Sequence, residues 1–214
     1  MKEKESKASK VFFVCFEKTI YFLVRTLFRP KVVFEDKTDT EVFLSEPTII
    51  VSNHIAHADG AVISWLFRKY RPHNLAAKDR FEQGGFMKWY LTMSKCIPID
   101  RKTLSTDWVR ISVQTLNVDR ESIAIYPEGR HGHDREILPF HSGVTTIAAI
   151  SGAPLIMVYN DGPYKLFHRC KLIVSPTFHL DPMTDGMTAD YIADQTDKLR
   201  EKMLGLQKKL VDTL

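Results

Sequence analysis

Apolar residues fall into two rhythms along this chain. From Val11 to Phe28 they are nearly continuous, interrupted only by Glu17, Lys18 and Arg25 among a few polar positions. After Pro30, short β-type runs alternate with stretches of helical spacing. Thr48 to Ser52, Asn74 to Ala77, Cys96 to Ile99, Ser122 to Tyr126, Pro154 to Tyr159 and Lys171 to Val174 read as strands. Ala61 to Lys69, Phe86 to Ser94, Thr106 to Val118 and Gly143 to Ile150 read as helices between them. Thr188 to Leu214 opens on a residue suited to an N-cap and places Ile192, Leu199, Met203, Leu206 and Leu210 at helical spacing, which predicts a surface helix. The alternation predicts an α/β fold with a mixed, largely parallel sheet flanked by helices. No repeat or low-complexity linker divides the chain, so the expected organisation is an N-terminal arm over residues 1–31 and one domain over residues 32–214.

The arm is where charge changes the picture. Residues 1–31 hold eight Lys or Arg against three Glu, a net of +5, and with +4 for the whole chain the remaining 183 residues balance at −1. Basic character confined to one end suits an anionic surface, and no nucleic-acid motif accompanies it. The longest charge-free run before Arg25 is Thr19 to Val24, too short to span a bilayer, and no small-residue cleavage site follows the apolar stretch. If Val11 to Phe28 is one helix, Lys18, Arg25 and Arg29 lie on a narrow stripe of an otherwise apolar cylinder. Such an amphipathic helix either packs on the protein or lies in a lipid interface. Composition elsewhere is ordinary for a globular protein, 44% hydrophobic and 26% charged, and Cys15, Cys96 and Cys170 have neither disulfide nor zinc spacing.

Three segments carry candidate chemistry. Ser52-Asn53-His54-Ile55-Ala56-His57-Ala58-Asp59-Gly60 follows the first strong strand. On a continuous helix His54 and Asp59 would point about 140° apart, so their pairing needs the strand-to-helix turn supplied here. Asp59 would then orient the imidazole and stabilise the imidazolium formed when the other ring nitrogen takes a proton. Tyr126-Pro127-Glu128-Gly129-Arg130-His131 also follows an apolar strand, at the edge where open α/β sheets bind ligands, with an Arg suited to phosphate. Cys96 to Arg101 is a strand ending in Asp-Arg. Each has a plainer reading: an N-cap with polar loop histidines, a solvated turn, and a strand-end ion pair. His54, His57 and Asp59 with His131, His133 and Asp134 also offer donors for a hydrolytic metal site.

Taken together and in order, these segments resemble the glycerolphosphate acyltransferase family, in its 1-acylglycerol-3-phosphate acyltransferase branch. The family's N-H-x4-D matches Asn53, His54 and Asp59; its G-x-x-F-I-D-R matches Ile99, Asp100 and Arg101; its F-P-E-G-T-R matches Pro127, Glu128 and Gly129, with Tyr126 for Phe. Leu138 to Gly143 is similar to L-P-F-K-x-G, and Gly152-Ala153-Pro154 to G-V-P. Lys95 and Pro98 stand where Gly and Phe are common, Ala56 replaces a frequent Ser, Met157 a frequent Pro, and Arg130-His131 replaces Thr-Arg, which shifts the phosphate-binding Arg by one position.

The resemblance implies transfer of a fatty acyl group from acyl-CoA or acyl carrier protein to the sn-2 hydroxyl of 1-acylglycerol 3-phosphate, with His54 as base and Asp59 as its orienting partner. It implies acceptor binding by Lys78, Arg101, Glu128, Gly129 and Arg130, no metal or prosthetic group, and a peripheral or monotopic place at the cytoplasmic face of a membrane. Another lysolipid acceptor and a metal-dependent hydrolase are the remaining readings.

Overall fold

In the computed structural model, which describes residues 7–100, 105–132, 135–162, 164, 167–184 and 186–212, seven strands form one sheet between two helical layers. The arm is α1 (Lys7–Leu23) running into a π-helical turn (Val24–Phe28), followed by β1 (Lys31–Phe34). Next come β2 (Ile49–Ser52), α2 (Asp59–Leu66), β3 (His73–Ala77), α3 (Lys78–Glu82), α4 (Gly85–Met93) and β4 (Ile97–Ile99). The remainder is α5 (Asp107–Asn117), β5 (Ile123–Ile125), α6 (Gly143–Ser151), β6 (Leu155–Asn160), β7 (Lys171–Val174) and α7 (Ala189–Asp212).

The sheet order is β1-β7-β6-β2-β5-β3-β4. Strands β6, β2, β5, β3 and β4 are mutually parallel, β7 is antiparallel to β6, and β1 is parallel to β7. The five parallel strands therefore end together, and their carboxyl ends form one edge of the sheet.

Alternation along the strands explains the two layers. Ile49, Val51, Leu155, Met157 and Tyr159 face one side, where Leu116 of α5, Val144 and Ile147 of α6, and Leu199, Met203, Leu206 and Leu210 of α7 close the core. Ile50, Ala124, Ile156, Val158, Leu172 and Val174 face the other, against Val62 and Ile63 of α2, Phe67, and Val24 at the end of the arm. With both faces covered, β2, β5 and β6 are buried throughout, which is why they read as unbroken apolar runs. Gly152 ends α6 in a left-handed conformation (φ 68°) that a side chain rarely adopts, turning the chain into Pro154 and β6.

The expected strands and helices are present, with ends shifted by up to four residues. Two elements were not expected. β1 is short and only partly buried, and α3 is a single polar turn, so neither carries a clear apolar period.

The arm packs along one face. Phe13 and Val24 are buried, and Phe12, Phe13 and Phe16 meet Phe86, Trp89 and Tyr90 of α4, with Phe16 edge-on to Phe86 at 5.2 Å. Trp89 Nε1 donates to Ser9 Oγ at 3.0 Å, and Arg71 pairs with Glu17 at 3.0 Å. Val11, Phe12, Phe22 and Leu23 face outward. The predicted basic stripe is shorter than expected: Arg29 has φ 43°, outside the helix, so only Lys18 and Arg25 remain on it.

Candidate active site

At the carboxyl end of β2 the chain leaves the sheet through Asn53 and His54, turns, and enters α2 at Asp59. The turn returns Asp59 to the imidazole, with Asp59 Oδ2 2.7 Å from His54 Nδ1. The same oxygen accepts the Ile55 and Ala56 N–H groups at 2.7 and 2.9 Å. Oδ1 accepts Asn160 Nδ2 at 3.2 Å and the Tyr164 hydroxyl at 2.6 Å. Asp59 is 0% exposed, and a carboxylate removed from water in this way needs such a set of donors. Held by Asp59, Nδ1 is the protonated ring nitrogen, and Nε2 is left as the basic atom of a side chain that is 20% exposed.

His54 is also fixed through its backbone. Its N–H donates to Glu128 Oε1 at 2.9 Å, and its carbonyl accepts from Gly132 N at 2.7 Å. The second Glu128 oxygen accepts Leu138 N at 3.1 Å. Burial pushes the Glu128 carboxyl up from its ordinary value, against the lowering pull of the two N–H groups. Pro127-Glu128-Gly129 is thus a brace under the His54 loop. Glu128, expected from sequence among the acceptor-binding groups, is turned inward and nearly inaccessible, where its charge would repel a phosphate. Gly129 sits at φ 66° beneath the His141 ring, where an added Cβ would approach to 3.1 Å, while Arg130 is exposed beside it.

Around the imidazole, Tyr126 stacks at 4.5 Å and 26°, and His131 meets it edge-on at 4.2 Å, with His57 a further 4.5 Å from His131. Burial, together with His54 and His57, lowers the His131 pKa, and the charge of Arg80 on α3 adds to the lowering. His131 is therefore uncharged at neutral pH, unlike the arginine its position has in the family pattern.

Lys78 begins α3 at the end of β3 and pairs with Asp100 at the end of β4, Nζ to Oδ2 3.0 Å. Both stand on the same edge as His54. Arg101 lies outside the described residues, as do His133 and Asp134 of the metal reading. Among the described residues, no group of three or more His, Cys, Asp or Glu is arranged to hold a metal ion. Burial raises the Cys96 thiol to about 12 and the Cys170 thiol to about 11, so neither is a ready nucleophile.

Asn160, Tyr164 and Arg80 escaped the sequence reading. Asn160 ends β6 and is doubly tied to Asn53: its N–H donates to Asn53 Oδ1 at 2.8 Å and its carbonyl accepts Asn53 Nδ2 at 2.9 Å. Its own amide also donates to the Tyr164 hydroxyl. A polar residue ending a buried apolar strand was the available signal.

A family model described as Acyltransferase matches residues 30–160. A 1-acyl-sn-glycerol-3-phosphate acyltransferase of Bacillus subtilis (strain 168) is 25% identical over 170 residues, covering 76% of this chain and 82% of its own. The human 1-acyl-sn-glycerol-3-phosphate acyltransferase alpha is 26% identical over 180 residues, covering 78% of this chain and 60% of its own. The crystal structure of the 1-acyl-sn-glycerophosphate (LPA) acyltransferase PlsC from Thermotoga maritima shares the fold, with a TM-score of 0.65 at 16% identity over 97% of this chain and 83% of that one. The matched span runs from Pro30 through the His54–Asp59 turn to the last residue of β6, and on it the chain belongs to the acyltransferase family.

Proposed function

We propose that the protein transfers a fatty acyl group from acyl-CoA or acyl carrier protein to the sn-2 hydroxyl of 1-acylglycerol 3-phosphate, giving phosphatidic acid. The observation that carries this reading is the 2.7 Å contact of His54 Nδ1 with a buried, five-fold hydrogen-bonded Asp59 in a chain of this family. Nε2 removes the hydroxyl proton as the oxygen attacks the thioester carbonyl. The tetrahedral intermediate then expels the thiolate, which recovers the proton from His54. General-base assistance of this kind contributes on the order of 10²–10⁴ in rate. Arg130, Arg101 and Arg80 are the cations proposed to take the acceptor phosphate. Lys78 shares its charge with Asp100, and Glu128 and Gly129 serve by shaping the loop.

The site is proposed to work as a peripheral or monotopic enzyme at the cytoplasmic face of a membrane, held there by the arm. Among the described residues no helix is long and apolar enough to cross a bilayer. A second reading, an acceptor with a different headgroup, is favoured by the neutral His131 in place of a family arginine.

The test is acyl transfer by the purified protein with both donors and a panel of lysolipids, with and without chelator. His54→Ala should abolish transfer, Asp59→Asn should lower it on the order of 10²–10⁴-fold, and His57→Ala should be mild. A preference for an uncharged acceptor sinks the 1-acylglycerol 3-phosphate assignment; loss of activity on chelation, with His57 as essential as His54, sinks the dyad.

A further inference from the structure

The fully buried Asp59 receives its donors from two directions. Those on Oδ2 are local, from the turn that carries His54. Those on Oδ1 come from Asn160 at the end of β6 and from Tyr164 after it, and the shorter is the Tyr164 hydroxyl at 2.6 Å. Burial and the charge of Asp59 push the Tyr164 hydroxyl well above the usual tyrosine range, so it remains a donor. Tyr164 is held over Asp59 by the Asn160 amide, which donates to its hydroxyl, and by the end of the N-terminal arm, whose Phe28 ring lies 4.9 Å from the Tyr164 ring, tilted by 48°.

Phe28 is itself fixed. It closes the π-helical turn, and Arg29 after it adopts φ 43°, bending the chain sharply toward β1. Three backbone bonds fasten this bend to the segment that follows Tyr164: Phe167 N to Leu27 O at 2.7 Å, Cys170 N to Phe28 O at 2.9 Å, and Lys31 N to Cys170 O at 2.8 Å. The arm's last turn, Tyr164 and Asp59 form a continuous set of contacts that ends on the imidazole. A tether whose only role was to reach lipid would not require such a contact.

We infer that Tyr164 is a positioning residue through which the seated end of the N-terminal arm, by way of Phe28, sets the His54–Asp59 dyad. The arm then acts on the chemical step as well as on attachment to lipid. This rests on the dyad reading given under Proposed function. Removing the Tyr164 hydroxyl takes one donor from Asp59, which strengthens the carboxylate as an acceptor toward His54 and loosens its placement.

The experiment uses the full chain, a short-chain acyl-CoA and a short-chain lysolipid kept below its micelle concentration, so that vesicle attachment plays no part. Tyr164→Phe should lower kcat about 10-fold with KM within about two-fold, a loss of positioning and not of binding. Phe28→Ala should give the same split, and Phe28→Leu, which refills most of the contact, should recover most of kcat. In an Asp59→Asn background, Tyr164→Phe should add little further loss, because both act through one carboxylate. A second readout needs no turnover: the low-field proton resonance of His54 Nδ1–H, assigned by its absence in His54→Ala, should shift in Tyr164→Phe and in Phe28→Ala.

An unmoved resonance in both variants overturns the inference whatever the activity. So does a Tyr164→Phe loss that multiplies fully with Asp59→Asn, or one that lies wholly in KM. If the resonance shifts in both variants while His54→Ala keeps full activity, the coupling stands and the catalytic role given to the dyad fails.

Discussion

Glu128 is a carboxylate that works from inside the protein. One oxygen receives the N–H of His54 and the other that of Leu138, joining the His54 loop to the chain ten residues beyond Glu128. A glutamine in its place retains one acceptor and presents an NH2 to the other backbone N–H, leaving that donor unsatisfied. Glu128→Gln should therefore lower kcat on the order of 10–10²-fold through misplacement of His54, with a smaller effect on KM. Steady-state kinetics at saturating acceptor would settle it, and a pure KM effect would return Glu128 to the acceptor site. Tyr126 makes the opposite case. Its hydroxyl is buried with no hydrogen-bond partner among the described residues, while its ring supports His54. Tyr126→Phe keeps the ring and removes an unsatisfied group that costs about 1–3 kcal/mol. The melting temperature should rise, or at least hold, with activity retained; a large loss of kcat would mean that the hydroxyl has a task in the reaction. The pairing of His54 with Asp59 was legible in sequence because a five-residue turn contains it. The inward direction of Glu128 was not, since a strand-end carboxylate reads the same whether it faces ligand or backbone. Tyr164 was hidden for a third reason: its contact with Asp59 spans 105 residues and depends on how β6 and β2 pair.

At the scale of elements, the same division follows burial. Strands β2, β5 and β6 were legible because helices cover both of their faces, whereas β1 at the sheet edge and the single polar turn α3 left only weak periods. The segment between β5 and α6 has few apolar residues, so its path could not be read, and there packing of backbone on backbone decides the geometry. A Cβ on Gly132 would stand 2.5 Å from the Glu136 carbonyl oxygen and 3.4 Å from Glu128 Oε2. A Cβ on Gly143, at the start of α6, would meet the tip of the Trp108 indole at 2.3 Å. The second contact is shorter, yet an indole tip on a helix face can swing aside while a loop carbonyl carries the chain with it. Gly132→Ala should thus be the more damaging, destabilising by about 1–3 kcal/mol and lowering activity as the Gly132 N–H to His54 bond is displaced. Gly143→Ala should cost less and spare kcat. Thermal melts with kinetics at low temperature would rank the two, and the reverse order would show that the loop is more pliant than the indole.

For the whole molecule, the arm has a buried face and an exposed one. Phe13 and Val24 are buried against the domain, so removing the arm uncovers core and should destabilise the protein. Deletion is then a poor test of lipid binding. The exposed face offers a better one, because Phe12 and Phe22 are 58% and 65% exposed on an arm whose Lys7, Lys10, Lys18 and Arg25 are exposed as well. Full burial of a Phe side chain contributes about 1.5–3 kcal/mol. A basic residue near an anionic lipid surface contributes about 1 kcal/mol, a part that salt screens. With the two terms of similar size, high salt should weaken binding to anionic vesicles without abolishing it. The double substitution Phe12→Glu with Phe22→Glu removes the apolar term and opposes the electrostatic one, so it should lower vesicle partitioning by about 10²-fold or more. Its melting temperature should fall only slightly, since both positions are exposed and the packing lost is the Phe12 ring contact with Phe16 and Trp89. Cosedimentation at low and high salt, beside a melt of each protein, reads both quantities. Native protein that ignores anionic vesicles at low salt would end the membrane role of the arm. A double variant that binds as well as the native chain would move the contact to another surface.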